Sequence, residues 1–171
     1  MITLETRVRV EGLQANAAFD FLLNTTDRDY QSWWPGVHLR CRTIKSRRDY
    51  IGNVVYYDQF IGDYRVTYTE EIREVVPNRR ILRQVVKGPI RLPVRIVIEL
   101  QDDGAGVMIK HSILAGFSGL LRVLDPICRL YFSARFAAAM DEHVTAECLL
   151  LRNISTPSAV AASVGACEAG V

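Results

Sequence analysis

SGLLRVLDPICRLYFSARFAAAMDEHVTAECLLLR, residues 118–152, decides the fold. From Pro126 onward Ile127, Leu130, Tyr131, Ala134, Ala137, Ala138, Val144, Cys148 and Leu151 recur at spacings of three and four. At about 3.6 residues per turn this gathers them on one helical face. Asp125-Pro126 reads as a start signal, because Asp accepts from free first-turn N–H groups and proline has no N–H to leave unsatisfied. Leu120, Leu121, Val123 and Leu124 allow an earlier turn or two, bent at Pro126. Phe132, Phe136, Ala139 and Met140 widen the apolar arc beyond a narrow stripe. The pattern predicts one long C-terminal helix, either gripped on more than one side or lidding something apolar.

What lies upstream has a different period. Residues 2–10 alternate, with Ile2, Leu4, Thr6, Val8 and Val10 on one side and Thr3, Glu5, Arg7 and Arg9 on the other, as in a half-buried strand. Ala15, Ala18, Phe19 and Leu22 then give a helical period within residues 13–23. A second short helix follows the capping run Asn24-Thr25-Thr26-Asp27 and ends at Pro35-Gly36. Six strands are predicted next, at residues 38–45, 54–61, 64–76, 80–87, 93–101 and 106–114. Gly62-Asp63 and Asp102-Asp103-Gly104 read as tight hairpin connections, which pair neighbouring strands antiparallel. Seven twisted antiparallel strands curve, and the C-terminal helix belongs on the concave side. With two small helices closing one end, the arrangement implies a pocket between sheet and helix.

The totals exclude several classes. A chain of 171 residues fits one domain with a real core. Lys+Arg 21 against Asp+Glu 19 leaves a net charge of +2, with no push toward nucleic acid. Arg40, Arg42, Arg47 and Arg48 read as a solvated strand-and-loop edge. No apolar run is long enough for a membrane span, the first residues do not resemble a signal peptide, and a reducing cytoplasm is the expected compartment. Cys41, Cys128, Cys148 and Cys167 have no CxxC and no metal-closing spacing with the three histidines. There is no GxSxG, HExxH, P-loop or dinucleotide fingerprint. No cofactor and no metal are expected. Residues 153–171, rich in Ala, Ser, Val and Gly, read as a flexible tail after a domain over residues 1–152.

The element order, DYQSWWPG up to Gly36, TYTEEIREVVPNRRI from Thr67 to Ile81, and a final hairpin leading through Gly116-Phe117-Ser118-Gly119 into a proline-containing helix resemble the START-related SRPBCC superfamily. This group includes polyketide cyclase/dehydrase, lipid-transport, coenzyme-Q-binding and birch-pollen-allergen relatives. The resemblance covers about residues 1–152 and implies an α+β helix-grip fold: a seven-stranded curved antiparallel sheet wrapped around a long C-terminal helix, with two short helices after strand 1. It implies a shared cavity but no shared catalytic motif.

Candidate site residues follow from strand phase. His111 alternates with Val107, Ile109 and Ile113 on the inward face, either satisfied by a neighbouring polar group or free for a ligand contact or proton transfer. Tyr68 and Glu70 share a face with Val66 and Ile72. Glu70 is either structurally paired or a carboxyl with raised pKa. Asp141 falls at the edge of the gripped helix face, facing either solvent or Tyr57, Arg83 or Arg95. Of Tyr56 and Tyr57 only one lines, and Tyr57 is the choice. Trp34 is placed on the cavity wall, and Ile127, Tyr131, Ala134 and Ala138 on the helix side. Three functions remain open: binding of a small hydrophobic ligand (lipid, quinone, polyketide or steroid-like) by a monomer or homodimer, a cyclase/dehydratase using Glu70, His111 or Asp141, and a protein-interaction module related to coenzyme-Q-binding proteins.

Overall fold

A computed structural model describes residues 1–117, 119–126, 128 and 132–153. Strand β1 covers Ile2–Glu11, helix α1 Ala15–Asn24 and helix α2 Asp27–Trp33. Strands β2 (His38–Lys45), β3 (Val54–Ile61), β4 (Tyr64–Val76), β5 (Arg80–Lys87), β6 (Ile90–Asp102) and β7 (Gly106–Ala115) follow. After a 3-10 turn at Gly119–Leu124, helix α3 runs over Ala134–Leu150. The strands form one seven-stranded sheet in the order β1-β7-β6-β5-β4-β3-β2, antiparallel throughout. This is the expected α+β helix-grip architecture. Among the described residues no helix is long and apolar enough to cross a membrane.

Alternation fixes the concave face: Val8 and Val10 of β1, Ile98 and Leu100 of β6, and Val107 and Ile109 of β7 are buried together with Phe19, Trp33, Val144 and Leu151. The sheet bends at register shifts, one between Gln84 and Val86 against β6. There Gln84 Nε2 donates to the carbonyl oxygens of Leu92 and Val94, and these bonds bridge the irregular stretch that holds Pro93. Strand β6 begins at Ile90 rather than residue 93 for this reason: the strand resumes N-terminal to the proline, where Lys87 pairs with Ile90 across the Gly88-Pro89 turn. The edge strand β2 exposes Arg40 and Arg42, and such charges protect an edge from adding another strand.

The C-terminal stretch departs from one continuous helix. Ser133 has ψ 160°, outside helical geometry, and its side chain accepts from Phe136 N, 3.2 Å away. Thus Ser133 starts α3 by satisfying a first-turn N–H. Asp125 instead accepts from Phe117 N at 2.8 Å, so its carboxylate closes the preceding loop. The break resets the helical phase: Ala134 and Ala138, expected on the gripped face, are exposed. Ile127, Tyr131 and residues 154–171 lie outside the described residues.

Gly106 shows how closely β7 approaches β1, since a Cβ there would lie 2.3 Å from the Val10 carbonyl oxygen. Gly106→Ala is expected to destabilise the fold by about 1–3 kcal/mol in urea unfolding, because backbone rather than a movable side chain must give way. Ser133→Ala should cost about 1 kcal/mol in the same measurement, and Ser133→Gly clearly less.

Candidate functional site

The sheet is wider than the helix can fill. At the centre of the concave face Val66, Tyr68, Val85, Val94, Ile96 and His111 point inward yet are only partly buried. They face a cavity of about 940 Å³ between the sheet and α3. Its helix wall is Phe136, Met140, His143, Val144, Glu147 and Cys148, with Trp33 and Leu22 at the α1–α2 end. The spacing of those helix residues marks the true inner face, which carries larger side chains than the alanines singled out by periodicity.

The floor of this apolar space is polar. Arg83, on the inward face between Ile81 and Val85, is buried at 8% exposure, and Glu70 at 2%. Arg83 Nη1 donates to the Tyr57 hydroxyl at 2.9 Å and to Glu70 Oε2 at 3.3 Å, while Nη2 donates to the Leu22 carbonyl at 2.7 Å. Burial raises the Glu70 pKa, and Arg83 only partly pulls it back. The Tyr57 and Tyr68 hydroxyls are likewise pushed up by burial. Tyr57 and Tyr68, directly paired across β3 and β4, stack with ring centroids 5.4 Å apart. The buried Tyr30 hydroxyl donates to Gln59 Oε1, and Gln59 Nε2 donates to the Tyr68 hydroxyl at 3.3 Å.

The structure therefore brings Tyr57, Tyr68, Glu70 and His111 to one cavity. Burial lowers the His111 pKa to about 4. The other predicted positions lie elsewhere. Helix α2 ends at Trp33, and Trp34, with φ −142° and ψ 85°, turns away from the lining. Trp33 takes the wall position, and its indole Nε1 donates to the Glu147 carbonyl at 3.0 Å. Asp141 is exposed and accepts from Thr6 Oγ1 at 2.6 Å. It ties α3 to β1 and meets neither Tyr57, Arg83 nor Arg95 among its hydrogen bonds.

Arg83 was foreseen only as a partner for Asp141. The Ile81-x-Arg83-x-Val85 alternation placed it inward, against the expectation that charge faces water. A second polar group, His38, His143 and Glu147, also escaped the sequence reading. His143 and Glu147 are one turn apart on α3, but His38 reaches them only through the packing of β2 and α2 under the helix.

No family model matches the chain, and no curated protein matches it. Solved structures do. A polyketide-cyclase-like protein from Corynebacterium glutamicum is 14% identical with TM-score 0.53, the match covering 89% of this chain and 90% of that one. A major latex-like protein from Panax ginseng is 15% identical with TM-score 0.54, over 83% of this chain and 96% of the other. The KanY protein, at 5% identity, gives TM-score 0.63 over 90% and 96%. At such identities the likeness is one of architecture, and the chain shares the helix-grip fold with these proteins.

Proposed function

We propose that this chain binds a small, largely apolar molecule between the sheet and α3. The observation that carries this reading is the set of inward but only partly buried residues on the central strands around a cavity of about 940 Å³. That volume is at the upper end of the range for sites that enclose a drug-sized ligand, and an apolar wall with few polar groups is their usual chemistry. Arg83 and the Tyr57 hydroxyl offer donors to an oxygen of the ligand, while Trp33, Tyr68 and the helix residues supply the apolar contact. A lipid, quinone, polyketide or steroid-like molecule with one polar end matches this division.

A second reading, acid-base chemistry on such a ligand, is favoured by the raised pKa of Glu70. It requires two of Tyr68, Glu70, His111 and Asp141 to act together. Among the described residues no hydrogen bond joins any two of these four: Glu70 is held by Arg83 and Tyr68 by Gln59. The binding reading is therefore preferred.

Native mass spectrometry of the protein purified from its source should reveal a retained apolar molecule. Ile96→Trp, which adds volume inside the cavity, should weaken binding of the probe anilinonaphthalene sulfonate by at least about tenfold. Because Ile96 is only partly buried and faces the cavity, stability should change by less than the roughly 1–3 kcal/mol of an overpacked core. Unchanged probe binding with a large stability loss would overturn the reading. The His111 ring should titrate near pH 4 by NMR, so it is neutral at pH 7 and available as a hydrogen-bonding group. Its folded pKa lies below the unfolded value of about 6.5. The stability linked to it is thus present above about pH 6.5 and is lost as pH falls through about 4.

A further inference from the structure

All three histidines of the chain lie inside the grip of sheet and helix, and two of them meet one carboxylate. His38 Nε2 is 3.3 Å from Glu147 Oε1, and His143 Nε2 is 4.0 Å from Glu147 Oε2. One ligand atom from each residue lies within 4.8 Å of the others. His38 is 1% and His143 4% exposed, and both Nε2 atoms are buried without a hydrogen-bond partner among the described residues. A buried imidazole nitrogen normally finds such a partner. Here two of them face one half-buried carboxylate.

Their orientation is fixed from behind. His38 Nδ1 lies 3.1 Å from the Tyr30 carbonyl oxygen, which can only accept, so Nδ1 carries a proton and Nε2 is the ring nitrogen turned toward Glu147. This is the arrangement in which a carbonyl fixes the tautomer of a metal-binding histidine. Tyr30 stacks on the His38 ring with centroids 4.0 Å apart and planes 3° from parallel. Trp34 stacks on His143 with centroids 5.0 Å apart. Both imidazoles are thereby held in place before any ligand arrives.

We propose that His38, His143 and Glu147 form a binding site for a divalent first-row transition metal, of which Zn²⁺ is the simplest representative. Around a tetrahedral ion with bonds of about 2.0–2.1 Å, neighbouring ligand atoms are about 3.3–3.4 Å apart, the separation already found between His38 and Glu147. Bringing the three ligand atoms from within 4.8 Å of one another to that spacing calls on the Glu147 side chain, which no stacking holds, to rotate. Two imidazoles and a carboxylate suit Zn²⁺, Fe²⁺, Co²⁺ or Ni²⁺ and are poor for Mg²⁺ or Ca²⁺, which prefer oxygen ligands. Three protein ligands leave a position open. Since His143 and Glu147 line the cavity, that position is available to water or to an oxygen of a molecule held there. The site needs no bound organic ligand, so it stands apart from the binding function.

The test uses the untagged full chain after dialysis against a chelator. Titration with Co²⁺ should give one saturable site per chain, with visible d–d absorption and no thiolate-to-cobalt charge-transfer band, as a site of nitrogen and oxygen donors requires. Calorimetry with Zn²⁺ should return the same stoichiometry. Glu147→Gln and His143→Gln, each checked for native near-ultraviolet circular dichroism, should weaken binding by at least about 100-fold. Gln keeps the size of the Glu147 side chain while removing its charge, so this variant reports on metal ligation with little change in packing. Absence of saturable binding, binding retained in both Gln variants, or a charge-transfer band placing the ion on cysteine would each overturn the proposal. Anilinonaphthalene sulfonate binding by the metal-free protein reads the cavity function separately.

Discussion

A guanidinium in the middle of a concave sheet face cannot shed its charge, and Arg83 sets the terms for everything around it. Arginine stays protonated under any condition in which a protein folds, so its burial demands acceptors from several directions. They come from β3 through Tyr57, from β4 through Glu70 and from the end of α1 through the Leu22 carbonyl. One side chain on β5 therefore locates two other strands and a helix end. Collapse of the cavity would either press apolar groups against this network or pull its partners away, and both are expensive.

The remainder of the core is divided between a packed end and a hollow one. Where β1, β6 and β7 meet α1 and the last turns of α3, aliphatic side chains fill the space. Across the centre of the sheet, from β4 to β7, inward residues border the cavity and several are only partly buried. The helix is anchored at the packed end by polar contacts as well: Trp33 to the Glu147 carbonyl and Thr6 to Asp141. Glu147 thus serves twice, its carbonyl holding α2 and its carboxylate facing the histidines.

Strand phase was the most legible feature, because a period of two with explicit turn residues leaves little freedom. The bounds of β2, β3, β4 and β5 and the inward direction of Tyr68, Glu70 and His111 are readable from alternation, whereas the phase at Tyr56-Tyr57 is ambiguous. The helix was harder. ARFAAAM offers alanines on every side, and alanine is as much at home on a surface as in a core, so Ala134 and Ala138 carried no real phase information. Asp125 and Pro126 are helical as expected, but Ser133 interrupts the helix and caps the long segment anew, a break that the apolar spacing does not reveal. Trp34 was chosen over Trp33 although helix termination decides between neighbours. The meeting of His38 with His143 and Glu147 depends on contacts more than 100 positions apart in the chain, which local patterns do not encode.

The chain has two tryptophans, and they are neighbours. Because the helix ends between them, Trp33 borders the cavity while Trp34 lies flat on the His143 ring. All indole emission from this protein consequently originates in a single thin partition, with an apolar chamber on one side and an imidazole pair on the other. The fold carries an intrinsic optical reporter in which both indoles touch the imidazoles, Trp33 with its ring 4.9 Å from His38 and Trp34 5.0 Å from His143, while Trp33 also borders the chamber.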